Sequence, residues 1–339
     1  METIIISGSI VVSYLIIKRY KTQWLDYMWM RIHARHPSEL ELEKTLEQKT
    51  LSSWMNSYSQ TLTVRGHQLH HVYVENPGSS LLIIFIHGLG GQVSQWESQL
   101  EHFSSYASVL AVDLLGCGLS EVSSKWSDYS ADSLTKDVLA LLTDHYSAER
   151  LVLVAHSYGC SVATRLSLDH TLKKRIQATV LICPKKGMSE KEIKGQRIIG
   201  WIPDWLMDGF RMGDRKKCLY SKSVERFLGP NATDIQREKQ FEWNIKSKTT
   251  VYRRFAYNAS FPVQEEYATI SSPVLLVSCE QDKVVSPQDA EYIHRLIDNS
   301  KLRVIEDVGH NPMLVRPQAV NTIISEFAES VGIEELGCF

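Results

Sequence analysis

Charge imbalance, paired cysteine motifs and repeats are all missing from this sequence, and each absence excludes a class of protein. The 339 residues include 37 basic and 39 acidic side chains, which gives a net charge of −2. A nucleic-acid partner usually requires a basic excess or a basic stripe, so none is expected. No metal-ligand spacing is evident, and the glycine-rich stretch at 87–91 lacks the Gly-Lys-Ser/Thr of a phosphate loop. The sequence therefore predicts a protein without a cofactor or a metal.

The six cysteines, at positions 117, 160, 183, 218, 279 and 338, form no C-x-x-C pair. An even number permits disulfides, but Cys183 and Cys279 end apolar runs that resemble buried strands. We therefore predict reduced thiols in a cytosolic compartment. No repeat or low-complexity tract is visible, and 43% hydrophobic with 22% charged residues suits one large globular domain, with or without an insertion.

The apolar run at residues 4–17 is shorter than the about 20 residues that normally cross a bilayer. It is closed by Lys18, Arg19 and Lys21. A marginal span and an anchor that lies on one leaflet both fit, and a buried core helix is the alternative. A cleaved signal peptide fits poorly, because the basic residues follow the run and no small-x-small cleavage site comes after it.

The aromatic stretch at 24–32 suits the membrane–water boundary, where Trp and Tyr are enriched. We therefore predict a membrane anchor and an interfacial helix over residues 1–36. Positive charges are retained on the cytoplasmic side, so the rest of the chain is expected in the cytosol. The endoplasmic reticulum or the lipid droplet is the expected membrane, with a mitochondrial membrane as the alternative. The charged segment 39–49 is typical of a solvated helix.

Strand and helix patterns alternate from about Leu51 onwards. Residues 61–64 and 69–74 alternate in polarity around Arg65-Gly66-His67, which indicates an antiparallel hairpin. The run 81–86 is wholly apolar, as in parallel strands that are buried on both faces. Further strands are predicted at 109–112, 151–154, 178–182, 274–277 and 303–305, with helical patterns between them. This order predicts an α/β fold with a doubly wound, mostly parallel sheet.

The stretch 151–159 predicts a strand that runs into a helix through a very sharp turn. Its last five residues, Ala155-His156-Ser157-Tyr158-Gly159, match the G-x-S-x-G nucleophile elbow, with Ala155 at the first Gly position. The residues on either side of Ser157, at 155 and 159, are expected nearly to collide, so both must be small. This geometry exposes the hydroxyl of Ser157 above the sheet. A serine that only caps the helix is the alternative interpretation.

A base and an acid for Ser157 can be proposed from the strand ends. His310 follows a strand in a loop whose Gly309 lets the backbone turn, and a serine hydroxyl needs such a base to become a nucleophile. Asp282 follows the strand at 274–277, where a carboxylate would hold the imidazole in one tautomer. Two acids, Glu280 and Asp307, are alternatives to Asp282. His156, beside the serine, is expected to be structural.

Together these residues resemble the α/β-hydrolase superfamily over about 51–331. The resemblance rests on His87-Gly88-Leu89-Gly90-Gly91, Asp113-x-x-Gly116-x-Gly118-x-Ser120, the turn at Ser157, Asp282 and His310, in that order. The chain looks most like abhydrolase-domain serine hydrolases, which include esterases and lipases. The resemblance implies a Ser-Asp-His triad and a mostly parallel eight-stranded sheet flanked by helices, with a helical cap. In some relatives the acid follows the sixth strand, but residues 183–186 of this chain contain no acid, which favours Asp282.

The resemblance also implies how the chain is divided. Residues 51–183 and 268–333 are expected to form the two parts of the hydrolase core. Residues 184–267, here named the cap, show no strand pattern and contain Trp201, Trp205, Phe210, Phe227 and Trp243. They are expected to form a helical insertion after the sixth main strand.

An oxyanion hole is expected from two backbone amides. The resemblance points to the amide of Leu89, after His87-Gly88, and to that of Tyr158, just after the nucleophile. Such preorganised donors stabilise the tetrahedral intermediate of acyl transfer. The segment 113–120 is expected to be a structural turn without a catalytic role.

These features predict a cofactor-free serine hydrolase that cleaves carboxylic esters, with lipid esters favoured because of the anchor and the Trp-rich cap. An acyltransferase, a thioesterase, a peptidase or a C–C hydrolase would use the same triad. A non-catalytic membrane scaffold is a further alternative. Haloalkane dehalogenases and epoxide hydrolases use an aspartate nucleophile, so Ser157 argues against both. The expected partners are a small-molecule or lipid ester and a membrane, and the oligomeric state stays open.

Overall fold

The computed structural model of the protein describes residues 37–336. In this range eight strands form one sheet, in the order β1-β2-β4-β3-β5-β6-β7-β8. The strands are β1 (Ser59–Val64), β2 (His67–Val74), β3 (Leu81–Ile86), β4 (Ser108–Val112), β5 (Arg150–His156), β6 (Ile176–Ile182), β7 (Val274–Cys279) and β8 (Ser300–Ile305). Only the β1–β2 and β2–β4 pairs are antiparallel. The predicted α/β fold with a mostly parallel eight-stranded sheet is confirmed.

Burial on both faces explains why β3 is a continuous apolar run. Leu82, Ile84 and Ile86 point into one hydrophobic cluster, while Ile83 and Phe85 point into another on the opposite face. Successive side chains of a strand alternate between faces, so a strand covered on both sides must be apolar at every position.

The predicted hairpin forms with a tighter turn than expected. Val64 pairs directly with His67, which leaves only Arg65 and Gly66 in the turn. Both turn residues have positive φ, 50° and 87°. Two-residue turns of this kind match the right-handed twist of the flanking strands, and a glycine relieves the strain at one of the two positions.

Helices cover both faces of the sheet. One face carries the helices Ala131–Ala140 and Gly159–Leu168, and the other carries Glu97–Phe103 and Pro317–Ser330. In chain order the helices outside the cap are α1 (Pro37–Glu47), α2 (Ser53–Ser57), α3 (Glu97–Phe103), α4 (Ala131–Ala140), α5 (Gly159–Leu168), α12 (Pro287–His294), α13 (Pro312–Val315) and α14 (Pro317–Ser330).

The segment between β6 and β7 is helical, as expected. Its helices are α6 (Glu190–Ile199), α7 (Asp204–Asp214), α8 (Lys222–Leu228), α9 (Asp234–Lys246), α10 (Thr249–Asn258) and α11 (Gln264–Ala268). The division of the chain at residues 184 and 267 stays a prediction. The N-terminal ends of α6 and α9 are stabilised by local hydrogen bonds, since each helix begins with a capping box, at Ser189 and Thr233.

The solvated helix expected at 39–49 is only half correct. Leu46 in α1 is 1% exposed and belongs to a small hydrophobic cluster with Val224 and Phe241 of α8 and α9. The amine of Lys49 also pairs with the carboxylate of Glu238 at 2.6 Å. Glu41, Lys44 and Glu47 of α1 are exposed. An apolar stripe and the ion pair of Glu43 with Arg215, at 3.7 Å, attach the helix to the cap.

The predicted anchor at residues 1–36 lies outside the described residues. Within residues 37–336, no helix is both long and apolar enough to cross a membrane.

Candidate active site

The serine predicted as nucleophile sits on a strained turn between β5 and α5. Its φ angle is +54°, a left-handed conformation that L-residues seldom adopt. A side chain at Gly159 would place its Cβ 2.5 Å from the carbonyl oxygen of Ile86 and 2.6 Å from that of His87. The small residue at 159 is therefore required by the end of β3. The expected crowding between positions 155 and 159 stays a prediction.

The structure brings the three predicted side chains Ser157, His310 and Asp282 together. The Oγ of Ser157 lies 2.9 Å from Nε2 of His310, and Nδ1 of His310 lies 2.6 Å from Oδ2 of Asp282. A carboxylate can only accept, so Nδ1 carries the proton, and Nε2 is free to accept from the serine hydroxyl. His310 is 1% exposed, which shields both hydrogen bonds from water.

Asp282 is held as an ionised acceptor. Its Oδ1 accepts from the amides of Val284 and Val285, at 2.7 and 2.9 Å. Burial raises the pKa of Asp282, but the hydrogen bond and charge of His310 and the two amides outweigh it and hold this pKa below its usual value. The carboxylate can therefore orient the imidazole and stabilise its protonated form.

The two alternative acids point elsewhere. The carboxylate of Glu280 accepts from the backbone amide of Asp307 at 3.1 Å, and Asp307 accepts from the Gln281 side chain at 3.2 Å. These contacts form a small network beside the loop, without a hydrogen bond to His310.

The loop at 87–91 presents the amide of Leu89 to the same site. The carbonyl of Gly88 accepts from Nδ1 of His87 at 2.7 Å and from the amide of Gly91 at 3.0 Å. That carbonyl shares a planar peptide with the amide of Leu89, so fixing one fixes the direction of the other. A Cβ at Gly88 would lie 2.8 Å from the Cβ of Ser157, which explains the glycine.

Neither expected oxyanion amide is used by the protein itself. Among the described residues, the amides of Leu89 and Tyr158 donate to no protein acceptor, and both residues line the cavity beside Ser157. A pair of unused N–H groups next to a nucleophile is the arrangement that an oxyanion requires.

His156 contacts His310, the predicted base, and the sequence did not reveal this contact. Its Nε2 donates to the carbonyl oxygen of His310 at 2.7 Å, and the two rings lie 4.7 Å apart between centroids. The expectation of a structural role was correct in kind. Through this hydrogen bond His156 supports the loop that carries His310.

The family model of the alpha/beta hydrolase fold matches residues 82–317. The chain belongs to the α/β-hydrolase family. An abhydrolase domain-containing protein of Schizosaccharomyces pombe is 30% identical to this hydrolase over 259 residues, which cover 73% of this chain and 70% of that protein.

Other similarities agree with this assignment. Lipid droplet hydrolase 1 of Saccharomyces cerevisiae is 26% identical over 278 residues, covering 70% of this chain and 73% of that protein. A solved structure of a thermophilic esterase from Thermogutta terrifontis superposes with a TM-score of 0.68, covering 80% of this chain and 98% of the esterase. Its 18% identity shows the shared fold alone. The curated relatives support a hydrolase function for this chain.

In this hydrolase the cap directly contacts the loop that carries His310. The amides of Gly309 and Asn311 donate to the carbonyls of Leu228 and Phe227, at 3.1 and 2.9 Å. A Cβ at Gly309 would meet the carbonyl oxygen of Phe227 at 2.8 Å, so the close approach requires glycine. The end of α8 thereby holds the backbone on both sides of His310.

A cavity of about 1330 Å³ opens between the cap and the strand ends. Ser157 and His310 lie in its wall, as do Trp243, Phe210 and Phe227 from the expected Trp-rich group. The other two members of that group point outwards, because Trp201 is 90% exposed and Trp205 is 66% exposed. The cavity exceeds the volume of most small-molecule sites, about 300–1,000 Å³, so a long substrate fits.

The segment 113–120 forms a structural turn, as expected. The carboxylate of Asp113 accepts from the amides of Val93 and Leu119 and pairs with His70 at 2.6 Å. A Cβ at Gly118 would overlap this carboxylate. His70 and Val93 are buried, whereas Leu119 is exposed, and Asp113 does not line the cavity.

Buried cysteines lie near the site, and one of them belongs to a cluster of side chains that could bind a metal ion. The five described cysteines are all buried. The ligand atoms of Cys183, His156 and His310 lie within 4.8 Å of one another. Both ring nitrogens of His310 already bond Ser157 and Asp282, so a metal bound there would break the serine–histidine–aspartate contacts. We assign no metal to this group.

Proposed function

We propose that this chain is a serine hydrolase that cleaves carboxylic esters through an acyl-enzyme. The observation that carries the proposal is the continuous hydrogen-bonded array from Ser157 Oγ through His310 to Asp282, with contacts of 2.9 and 2.6 Å. Nucleophile, base and orienting acid within hydrogen-bond reach are the signature of an activated serine.

The proposed reaction uses these atoms in two halves. His310 Nε2 takes the hydroxyl proton while Ser157 Oγ bonds to the ester carbonyl carbon, and the carbonyl oxygen becomes an oxyanion. The amides of Leu89 and Tyr158 stabilise that oxyanion. The bond from carbon to the alcohol oxygen then breaks, and Nε2 returns the proton to the departing alcohol. Water attacks the acyl group by the same route and releases the acid.

Lipid esters are the proposed substrate class. The large cavity carries apolar side chains, among them Ile199, Met207 and Phe210, which suit an acyl chain. Trp201 and Trp205 are 90% and 66% exposed in the same part of the cap, and exposed Trp side chains favour lipid interfaces. The name of the yeast relative, Lipid droplet hydrolase 1, supports a lipid droplet as the place of action. A membrane anchor in residues 1–36 would serve the same location.

Replacement of the nucleophile tests this proposal. Ser157→Ala should reduce hydrolysis of p-nitrophenyl esters by several orders of magnitude, about 10⁶-fold in a comparable triad, and should abolish labelling by a fluorophosphonate probe. Ser161→Ala, a buried serine in the first turn of α5, is the matched control and should keep both activities. Substantial activity in Ser157→Ala would show that the nucleophile assignment is wrong. A wild-type protein that was neither labelled nor active would favour the scaffold alternative.

A further inference from the structure

The wall of the cavity carries an excess of positive charge that the whole chain does not have. Seven basic and three acidic side chains line it, whereas the net charge of the chain is −2. Some of the basic groups are neutralised inside the protein. The guanidinium of Arg226, for example, contacts both carboxylate oxygens of Asp214 at 2.6 and 2.8 Å.

Arg211, in α7, is a cation of this wall that has no ion-pair contact within 4.0 Å in the part of the chain that the structure describes. Its Nη1 donates to the hydroxyl of Thr249 at 2.8 Å, and its Nη2 approaches the carbonyl of Asn244 at 3.5 Å. Its guanidinium lies 5.2 Å from the centre of the Tyr252 ring. These partners are all neutral, and among residues 37–336 no carboxylate lies within 4.0 Å of this guanidinium.

An unpaired, partly desolvated guanidinium is unfavourable in the free protein. Arginine side chains are seldom buried unless they are paired, because removing their charge from water costs free energy. Burial, and then the neighbouring Arg215, lower the pKa of Arg211, and Asp208 and Asp214 offset this only in part. An anion that entered the cavity would relieve this cost.

The contacts of Arg211 connect it to the proposed oxyanion loop. Thr249 and Asn244, which hold the guanidinium, flank the junction of α9 and α10 at Ser247. Ser247 in turn packs against Gly90, where a Cβ would lie 2.8 Å from its Oγ. Gly90 directly follows Leu89. The segment that holds Arg211 therefore also packs against the loop that carries the amide of Leu89.

We propose that Arg211 binds an anionic group of the substrate, so that the favoured esters are anionic amphiphiles and not neutral glycerides. This inference rests on the proposed function. The guanidinium has five N–H groups, and two of them have protein acceptors, which leaves a fork for the paired oxygens of a phosphate or a carboxylate. The exposed amines of Lys216 and Lys217, in the same wall, would attract such an anion electrostatically.

Matched esters test the inference. Turnover of a 1-acylglycerol 3-phosphate is compared with that of the 1-acylglycerol of equal chain length, and p-nitrophenyl hemiglutarate with p-nitrophenyl valerate. Wild-type protein should prefer the anionic member of at least one pair. A preference in the first pair indicates a phosphate site, and a preference in the second pair indicates a carboxylate site. Arg211→Gln should reduce this preference about 10- to 100-fold in kcat/KM, mainly through KM, because a charge-assisted hydrogen bond is lost. Arg211→Lys should restore part of it.

Arg226→Gln is the matched control. It removes the same charge from the same wall, but from a side chain already paired with Asp214, so the anionic preference should persist. The absence of any anionic preference in wild-type protein, or an equal loss for both members of each pair in Arg211→Gln, would overturn the inference.

A binding measurement separates this inference from the proposed function. Decyl phosphate, decanoate and decanol are titrated into Ser157→Ala protein, with the fluorescence of Trp243 in the cavity wall contributing to the signal. One of the anions should bind at least about tenfold more tightly than decanol, and a further Arg211→Gln change should remove the difference. This result would support anion recognition even if no ester were cleaved. Equal binding of all three compounds would refute it.

Discussion

The imidazole of His156 donates a hydrogen bond of 2.7 Å to the backbone carbonyl of His310, the proposed base. Burial, followed by the proximity of His310, lowers the pKa of His156 to about 3, so the ring stays neutral. Its Nδ1 has no partner among the described residues. The hydrogen bond from Nε2 therefore holds the loop of His310 from the side of the sheet, while the end of α8 holds it from the side of the cap.

Loss of this bond should slow chemistry more than it weakens binding. His156→Phe fills the space without a donor, and we expect kcat to fall by about 100-fold with KM little changed, since displacements of about 1 Å can have this effect. His156→Gln retains a donor and should recover part of the rate. Steady-state kinetics on a p-nitrophenyl ester would show this, and a Phe variant with normal kcat would contradict the positioning role.

The choice of acid can be tested in the same assay. Asp282→Asn should reduce kcat by roughly 10⁴-fold, because an amide cannot hold His310 in the required tautomer. Glu280→Gln and Asp307→Asn are matched controls in the neighbouring network, and both should have much smaller effects. If Asp307→Asn proved the more damaging change, the assignment of the carboxylate would be wrong.

Stability should begin to fall at mildly acidic pH. Burial lowers the pKa of His71 to about 4, of His156 to about 3, and also lowers that of His87. Above about pH 6.5 these rings are neutral in both the folded and the unfolded protein. At lower pH they take up protons only in the unfolded chain. Each ring should therefore reduce the free energy of unfolding by up to about 1.4 kcal/mol per pH unit, down to its folded pKa.

Urea unfolding at pH 7.5, 6 and 5 would measure this slope. His71→Gln lies away from the active site, on β2, and should flatten the slope by up to one proton equivalent. Unfolding free energies that did not change between pH 7 and pH 5 would show that the buried rings accept protons in the native state.

The parts of the fold that local chemistry dictates were predictable from the sequence. The apolar run of β3 requires burial on both faces, and the small residue at 159 with Ser157 defines a turn that few sequences tolerate. Ser157, Asp282 and His310 follow β5, β7 and β8, so all three lie at the carboxyl ends of parallel strands. These predictions depend on neighbours in sequence or on the common direction of parallel strands.

Contacts between distant segments were not predictable in this way. The bond from His156 spans 154 positions, and no pattern near His156 marks its acceptor. Arg211 stands among other charged residues of the cap, so only the structure separates it from the paired Arg226. Leu46 likewise belongs to a helix whose composition is charged, and its burial depends on the presence of α8 and α9.

The last prediction concerns the side of the membrane on which the folded part lies. Positive residues follow the apolar run at 4–17, so we expect the folded part in the cytosol. Two glycosylation sequons begin at Asn231 and Asn258. Asn231 is exposed, whereas the amide of Asn258 already donates to the carbonyls of Trp126 and Arg254 at 2.8 and 2.9 Å. Asn231 is therefore the better internal reporter, because glycans attach only in the secretory lumen.

Endoglycosidase treatment of the protein from its native cell should leave its gel mobility unchanged, and Asn231→Gln should migrate like the wild type. Protease should digest the folded part in intact microsomes, because a cytosolic domain is accessible from outside. Deletion of residues 1–21 should shift the protein to the soluble fraction and preserve its activity on water-soluble esters. A mobility shift that Asn231→Gln removes would reverse the topology. A truncated protein that stayed membrane-bound would place the anchor in residues 24–32 or on the exposed Trp201 and Trp205 of the cap.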